Sequence, residues 1–330
     1  MPGPEAMPAM GMPGESAAPS GICAVVLNWN GWRDTVACLE SLFGLGGTPM
    51  RIVVCDNGST DASVAELERF LREHPSDPAG CVVAVELLRL PRNLGFAGGM
   101  NAAMAWARER WTPRGFWLLN SDVQAQPGAL DALVAAHDSV PDAGICGSVL
   151  LEWDAPHGIQ AVAGMFRRWL GVGWHATALP QDGTAVSFAV DYPVGASMYV
   201  SAAYLDAVGP MDPGYFLYCE EMDWAERGRR HGLRPLVALG SRLRHKEGAS
   251  TGSRGGVRHK SLLSERYGVT SRLRITRKFW PRWLPVVWGS LLLVIADRLA
   301  HGEVERAKLV LRLMLSPSQW LRDGDASTKP

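Results

Sequence analysis

An apolar run in the middle of the chain stops abruptly on three polar residues. Residues 117–119 are Trp-Leu-Leu, and Asn120, Ser121 and Asp122 follow directly. An amide and a carboxylate at the carboxyl end of a buried strand lie where an open α/β sheet binds its ligand. Because Asn120 and Asp122 are two residues apart, both could turn toward one hard divalent cation, with diphosphate oxygens completing its shell. An ordinary turn or helix start is the competing explanation of the triplet.

Apolar runs and helical patterns alternate along the first 120 residues. The runs 22–28, 51–55, 81–88 and 116–119 are typical of strands covered on both faces. Between them, apolar residues recur every three or four positions, and the third of these helical patterns covers residues 102–108. The alternation predicts an α/β fold with a mostly parallel central sheet.

Polar loops follow the predicted strands, and the ends of parallel strands meet at one edge of a sheet. A nucleotide bound at that edge would contact Asp56 with its base and Asn28 and Asn30 with its ribose. Turn and helix capping is the competing explanation for Asp56 and Asp61.

A glycine-rich segment precedes the third helical pattern. Gly95, Gly98 and Gly99 would let the chain pass close to a phosphate at a helix start, and Arg92 would add positive charge. A dinucleotide-binding dehydrogenase would instead carry G-x-G-x-x-G directly after the first strand, and residues 28–31 are Asn-Trp-Asn-Gly. The spacing therefore argues against a dehydrogenase.

Four ordered motifs, at residues 25–30, 56–61, 93–101 and 119–122, together resemble the family 2 glycosyltransferases of the GT-A fold. Within that family they are most similar to the bacterial rhamnosyltransferase and galactofuranosyltransferase branch, and the similarity extends from about residue 22 to about residue 280. The resemblance implies an inverting transferase that uses a nucleoside-diphosphate sugar and a divalent cation, Mg²⁺ or Mn²⁺. Asn120 stands where the Asp-x-Asp signature of the family has its first aspartate.

The resemblance also implies roles for particular residues. Asp122, Asn120 and His245 would bind the cation, and Gly195 and Ala196 would leave room beneath the donor sugar. The full set of implied donor-binding residues is Asn28, Asn30, Asp56, Asn57, Arg92, Asn93, Gly95, Phe96, Ala97, Gly99, Asn101, Asn120, Ser121, Gly195 and Ala196.

Three acids open a helical pattern in the second half of the chain. Glu220, Glu221 and Asp223 would complement the dipole at a helix N-terminus whatever the function. The resemblance implies that Glu221 is the general base, since it takes the place of the second acid of Glu-Asp-x-Asp, with Glu220 as the alternative. Asp223 is expected to pair with Arg227 four residues later.

Composition constrains the partners and the compartment. The net charge of the 330 residues is zero and no nucleic-acid-binding module is recognisable, so no nucleic-acid partner is expected. The six cysteines are scattered without a C-x-x-C pair, which favours reduced thiols in the cytoplasm. Residues 1–21 are predicted to be a disordered leader, and residues 22–253 the catalytic domain.

Residues 254–330 are predicted to form a basic, amphipathic helical extension. Between residues 254 and 282 Glu265 is the only carboxylate, which favours an anionic membrane surface or a diphosphate-bearing lipid. The apolar run 284–296 is short for a membrane span, so docking at the inner face of the membrane is preferred to a buried or oligomer-forming helix. Trp153, Trp169 and Trp174 are expected in the core, with stacking against a sugar as the alternative.

The predicted reaction moves a sugar to a hydroxyl of a glycan, a lipid-linked acceptor or a small molecule. The resemblance favours rhamnose on a thymidine nucleotide (dTDP-rhamnose), with a uridine-diphosphate (UDP) sugar second. A nucleotidyltransferase and a non-catalytic glycan- or nucleotide-binding protein of the same fold are the alternatives.

Overall fold

The computed structural model describes residues 21–75, 77, 80–155, 158–179, 187–246 and 261–316. The predicted leader, except for Gly21, and the predicted boundary at residue 253 lie outside these residues. The elements of the first half are β1 (Ile22–Asn28), α1 (Trp32–Phe43), β2 (Met50–Asp56), α2 (Ser63–Glu73), β3 (Val82–Arg89), α3 (Gly95–Arg110), β4 (Gly115–Asn120), β5 (Val123–Ala125) and α4 (Ala129–Asp138). Those of the second half are β6 (Ala143–Glu152), β7 (Ile159–Ala161), β8 (Ala163–Arg167), β9 (Val172–Ala176), β10 (Ser187–Ala189), β11 (Ser197–Ser201), α5 (Ala202–Val208), α6 (Glu220–Arg230) and β12 (Arg234–His245).

A single mixed sheet in the order β10-β12-β6-β11-β4-β1-β2-β3 forms the centre of the fold. The strands β3, β2, β1 and β4 are parallel neighbours, as the apolar runs predicted. β11 is inserted antiparallel between β4 and β6. Because of this insertion, the segment that precedes β11 lies beside the carboxyl end of β4.

Helices cover both faces of the sheet. One buried cluster joins β1, β2 and β4 to α1, α2 and α4, and a second joins the opposite faces of the same strands to α3 and α5. The predicted α/β fold is confirmed, and strands buried on both faces explain the continuous apolar runs.

Three segments differ from the sequence prediction. The helix α3 begins at Gly95 rather than at residue 102, so the glycine-rich segment forms its first turns. The expectation that Trp169 and Trp174 are core residues was wrong, because they lie on the β8–β9 hairpin with 47% and 44% exposure. Trp153 is half-buried beneath the Lys246 ammonium, which lies 4.4 Å from the centre of its ring.

The C-terminal region contains α7 (Leu262–Phe279), a 3-10 turn (Pro281–Trp283), α8 (Leu284–Ala300) and α9 (Val304–Leu315). The three helices share one buried cluster. On its other side α7 packs on the sheet region, because Ile275 shares a cluster with Tyr215 and Met222. The helical extension is therefore tied to the segment that precedes α6.

Among the described residues, one helical stretch is long and apolar enough to cross a membrane by length and composition alone. It covers Pro281–Ala300, has a mean hydropathy of 1.5 in its best window, and is 17% buried. The expectation that this apolar run is too short was therefore wrong.

Candidate active site

The loops after β1 and β2 are joined by buried polar side chains. The Asn28 amide donates to Asp56 Oδ2 at 2.7 Å and to Ser59 Oγ at 3.2 Å. Asp56 Oδ1 accepts from the Ser59 backbone N–H at 3.0 Å, and the Thr35 hydroxyl donates to the side-chain oxygen Oδ1 of Asn28 at 2.8 Å. Since Asn28 and Asp56 are fully buried, they hold the two loops in place. Their contact with a nucleotide stays a prediction.

The neighbouring loop residues are held by the backbone as well as by side chains. Asn30 has φ of 51° and accepts from the Thr60 N–H at 2.8 Å. Gly58 has φ of 73°, and a Cβ there would lie 2.4 Å from the Arg92 carbonyl carbon, so only glycine fits. The Arg92 side chain is exposed at this edge.

The start of α3 donates its first N–H groups to protein acceptors. Leu94 N–H donates to Asn57 Oδ1, Gly95 N–H to Asn93 Oδ1, and Phe96 N–H to the Phe216 carbonyl, at 2.8–3.0 Å. These three groups are therefore unavailable to an anion, which removes the physical reason for placing the donor phosphate on them.

The next turns of α3 serve helix packing. A Cβ at Gly99 would lie 2.6 Å from Leu27 Cδ1, so the glycine lets α3 approach β1. Asn101 exchanges two hydrogen bonds with the Met211 backbone, at 2.8 and 3.0 Å, and Ala97 is buried. The donor-binding roles of these residues stay predictions.

The carboxyl end of β4 brings the two halves of the predicted site together. Asn120 N–H donates to the Ala196 carbonyl at 3.1 Å, because β11 pairs with β4 immediately beyond this point. On the other side, Ser121 Oγ lies 4.0 Å from the place that a Cβ at Gly31 would take. Gly195 and Ala196 thus lie beside Asn120, as the donor-sugar prediction requires.

Asp122 and His245 meet next to this strand end. β5 and β12 pair antiparallel with His245 opposite Val123, which places His245 Nε2 3.4 Å from Asp122 Oδ1. On its other side His245 Nδ1 lies 2.7 Å from Gln160 Oε1, and the Gln160 amide donates to the His245 carbonyl at 3.2 Å. The hydrogen bond from the Gln160 amide to the His245 carbonyl orients Gln160 so that its Oε1 faces Nδ1, while Nε2 faces Asp122.

Sequence reasoning missed Gln160. It lies on β7, in a region without periodicity, and it reaches His245 across 85 positions of the chain. No local signal marks such a residue.

The two glutamates lie at the first turn of α6. Tyr218 and Cys219 both have φ of 69°, and this sharp bend turns the chain into the helix. A Cβ at Gly195 would lie 3.6 Å from Glu221 Oε1 and 3.8 Å from Phe96 Cζ, so Glu221 faces the space above Gly195. Glu220, the residue before it, is 5% exposed.

Burial sets the protonation of this pair. Loss of hydration raises the pKa of Glu221 to about 7, and it raises the pKa of Glu220 well above the usual range, with the Glu221 charge as the second cause. Within the described residues, neither Oε2 atom has a hydrogen-bond partner. A carboxylate with a pKa near neutrality, open on one side, is suited to take a proton from a substrate.

Asp223 anchors this helix start to α7. Its carboxylate is fully buried and contacts Arg227 at 2.8 Å, as predicted, and Lys278 Nζ at 2.6 Å. Lys278 also contacts Asp212 at 2.8 Å. The predicted basic character of α7 is therefore partly used within the protein.

We expect Asp223→Ala to lower the free energy of unfolding by about 3–5 kcal/mol, because it leaves two cations without their buried partner. Urea unfolding followed by circular dichroism measures the change. Asp206→Ala is the control, since Asp206 forms an exposed ion pair with Arg108 and its loss should cost less than about 1 kcal/mol. Equal effects of the two substitutions would contradict the anchoring role.

Solved structures define the class of the fold. The structure of GalNAc-T7 with UDP, GalNAc and Mn²⁺ matches with a TM-score of 0.59 at 15% identity, covering 84% of this chain and 51% of that one. The chain thus spans about half the length of that protein. The Pyrobaculum calidifontis mannosyltransferase PcManGT, solved with GDP-Man and Mn²⁺, matches with a TM-score of 0.52 at 13% identity, covering 94% and 91%. The fold is that of the GT-A glycosyltransferases.

The sequence comparisons define the family. The profile of glycosyl transferase family 2 matches residues 23–191, which is more than half of the chain. The chain belongs to this family and is a glycosyltransferase. It is also similar to the N-acetylglucosaminyl-diphospho-decaprenol L-rhamnosyltransferase of Mycobacterium tuberculosis, with 28% identity over 294 residues that cover 79% of this chain and 89% of that protein.

Proposed function

We propose that the protein transfers rhamnose, with inversion, from dTDP-rhamnose to a hydroxyl of a glycan carried on a lipid diphosphate. A UDP-sugar is the second choice of donor. The observation that carries the proposal is the position of the Glu221 carboxylate, which faces the space above Gly195 while Gly195 and Ala196 adjoin the end of β4. The similarity to a rhamnosyltransferase named for a decaprenol-linked substrate supports the choice of sugar and acceptor.

In the proposed reaction Glu221 takes the proton of the acceptor hydroxyl. The hydroxyl oxygen attacks the anomeric carbon of the donor sugar and forms the new glycosidic bond. At the same time the bond from that carbon to the diphosphate oxygen breaks, and its electron pair leaves with the diphosphate. Attack from the face opposite the leaving group inverts the anomeric configuration.

Glu220 has a supporting role in this proposal. It precedes Glu221 on α6 and is buried, and this burial, together with the Glu221 charge, raises the pKa of Glu220 well above the usual range. A neutral Glu220 lets Glu221 ionise near pH 7 without a second buried charge beside it.

The donor set of Asp122 and His245 fits a divalent cation. Asp122 Oδ1 and His245 Nε2 lie 3.4 Å apart, and a carboxylate oxygen and a neutral imidazole nitrogen are both ligands of divalent cations. The described part of the chain has no cluster of three or more His, Cys, Asp or Glu side chains, so diphosphate oxygens and water would complete the shell. When bound, such a cation neutralises charge on the leaving diphosphate. Neighbours of the same fold were solved with Mn²⁺, which supports this assignment.

The donor assignment is tested first by thermal stabilisation. We expect dTDP together with Mn²⁺ to raise the melting temperature more than either alone, because a ligand that binds only the folded state stabilises it by mass action. UDP and GDP, each with and without Mn²⁺ or Mg²⁺, are the comparison set. If UDP is the only nucleotide that raises the melting temperature, the proposed donor changes from a thymidine to a uridine nucleotide sugar. If no nucleotide raises it, the proposed transferase site is contradicted.

A transfer assay then tests the reaction itself. The purified chain is incubated with dTDP-rhamnose and a short-chain polyprenyl-diphosphate N-acetylglucosamine, and the product is identified by mass spectrometry. Two-dimensional nuclear magnetic resonance of the new linkage reports the anomeric configuration. Retention of configuration would contradict the proposed mechanism.

A further inference from the structure

The β8–β9 hairpin exposes large apolar side chains around its turn. Trp169, Val172 and Trp174 are each more than two-fifths exposed, although they stand within six positions of one another. Single exposed apolar residues are ordinary on a protein surface, whereas a cluster that includes two tryptophans marks a surface for interaction.

The helix α8 exposes an apolar face of its own. Leu293 is 73% exposed, and Leu292 and Val286 also stand out into solvent. The opposite face is buried against α7 and α9 through Val287 and Leu291. This helix is apolar on both sides but packed on only one of them.

The two exposed areas adjoin each other. The half-buried Arg272 guanidinium donates to the Leu170 carbonyl in the hairpin turn at 2.6 and 2.9 Å and to Ser290 Oγ on α8 at 2.6 Å. Val286 and Leu293 stand four positions before and three positions after Ser290, so they lie on the same flank of α8. Together they form one surface, the hairpin–helix surface, made of Trp169, Val172, Trp174, Val286 and Leu293, and Leu292 extends the exposed apolar face of α8 on its far flank.

Each of the two parts of this surface has an exposed arginine beside it in the chain. Arg167 is exposed, and its guanidinium lies 5.9 Å and 5.5 Å from the ring centres of Trp169 and Trp174. Arg282 is exposed in the 3-10 turn before α8, 5.5 Å from the Trp283 ring. Neither arginine forms an ion pair with any residue that the structure describes.

We propose that the hairpin–helix surface docks on an anionic lipid bilayer, with α8 lying in the plane of the membrane. Tryptophan and arginine are suited to the headgroup region, and exposed leucines to the acyl boundary below it. A second copy of the chain would carry the same cations, so charge complementarity favours anionic lipid. The choice of a membrane partner rests on the proposed function, which places the acceptor on a lipid.

The packing of α8 argues against a span. Arg298 near its end contacts the buried Glu265 of α7 at 3.3 Å, and Arg272 contacts its middle. A transmembrane α8 would take these charges into hydrocarbon, where ionised side chains are strongly disfavoured. The helix therefore lies on the membrane and does not cross it.

Docking in this way would set the position of the catalytic glutamates above the bilayer. The middle of α7, next to the docked surface, holds the segment before α6, because Ser271 Oγ donates to the Leu217 carbonyl at 2.9 Å and Tyr267 stacks on Phe216 at 4.6 Å. Glu221 follows that segment directly. A lipid-linked acceptor would then enter from the side of the bilayer.

Vesicle flotation of the full chain tests the proposal. We expect binding to phosphatidylcholine vesicles that contain about one-third phosphatidylglycerol, and much weaker binding to pure phosphatidylcholine. Leu293→Asp should weaken binding to the anionic vesicles about tenfold or more, and Trp174→Ala by about threefold to tenfold. Both residues are exposed, so the melting temperature and the nucleotide-induced shift should stay those of the unchanged protein.

Val83→Asp is the matched control. Val83 is 59% exposed on β3, which forms the other edge of the sheet, so this substitution should leave flotation unchanged. Equal flotation of Leu293→Asp and the unchanged protein would overturn the proposal, as would an equal loss with Val83→Asp. A dimer that Leu293→Asp converts to a monomer would assign the surface to a second copy instead. Nucleotide binding that persists when flotation fails would leave the proposed function standing.

Discussion

Replacing Glu221 by glutamine is expected to lower the rate of sugar transfer about 10²–10⁴-fold. Glutamine has the shape of glutamate but cannot accept the proton of the acceptor hydroxyl. Glu221 Oε1 faces the space above Gly195, and the hydrogen bonds that hold the loops of Asn28 and Asp56 do not involve Glu221, so the thermal shift with nucleoside diphosphate should survive. The measurement is kcat with a saturating donor, together with the nucleotide-induced change in melting temperature.

Two further variants separate Glu221 from its neighbours on α6. Glu220→Gln should lower the rate less, because Glu220 is buried, burial raises the pKa of its carboxyl well above the usual range, and it is Glu221 whose Oε1 faces Gly195. Glu226→Gln is the control, since Glu226 pairs with Arg229 at 2.8 Å on a later turn of the helix. Normal turnover by Glu221→Gln with a large loss in Glu220→Gln would transfer the role of base to Glu220.

The pH dependence of the transfer rate of the unchanged protein is a second test of Glu221 as the general base. A base acts only when it is ionised, and burial raises the pKa of Glu221 to about 7. The rate should therefore rise with pH and level off above about 7.

The contribution of Glu221 to the stability of the fold changes with pH in the opposite direction. The folded state holds this proton more strongly than the unfolded chain, so the contribution of Glu221 to stability falls as pH rises from about 4.5 toward 7.

Local sequence patterns predicted the strands of the sheet well because a strand buried on both faces is a continuous run of apolar residues in the sequence. The run of residues 22–28 is covered by helices on both faces, and the matching strand has the same limits. The start of α3 was placed seven residues too late because glycine is a poor helix former. Here Gly95 and Gly99 are needed for close approach to Phe216 and Leu27, and tertiary contact overrides the propensity.

Long-range contacts account for most of what the sequence did not reveal. The hairpin with Trp169 and Trp174 lacked periodicity, and tryptophan is usually buried, so its exposure had no local sign. The contact of Lys278 with Asp223 joins two segments that look like independent charged helices in the sequence. The family resemblance implied that Asp122 and His245 bind one cation, and the two side chains lie side by side, whereas the contact of Gln160 with His245 had no sign in the sequence.

The pair of Asp122 and His245 supports the second large expected effect. Asp122→Ala should lower kcat/KM about 10²–10³-fold, the loss typical when one electrostatic stabiliser of a developing charge is removed. It should also abolish the part of the nucleotide-induced thermal shift that depends on Mn²⁺, because the only carboxylate among the proposed ligands Asp122, Asn120 and His245 is gone. Mn²⁺ binding followed by electron paramagnetic resonance gives a readout independent of activity.

Gln160→Ala is expected to give a smaller loss of the same kind, about 10–100-fold in affinity for Mn²⁺, because Gln160 only orients the imidazole of His245. Asp142→Ala is the matched control. Asp142 pairs with Arg234 at the first residue of β12, at the opposite end of the strand from His245, so its loss removes a carboxylate without touching the pair. The losses of Mn²⁺ affinity in the three variants, ranked by size, test the geometry of the site. If Gln160→Ala loses as much affinity as Asp122→Ala, Gln160 contacts the ligand itself. If Asp142→Ala loses as much as either of them, the effect is one of net charge, and the cation does not bind between Asp122 and His245.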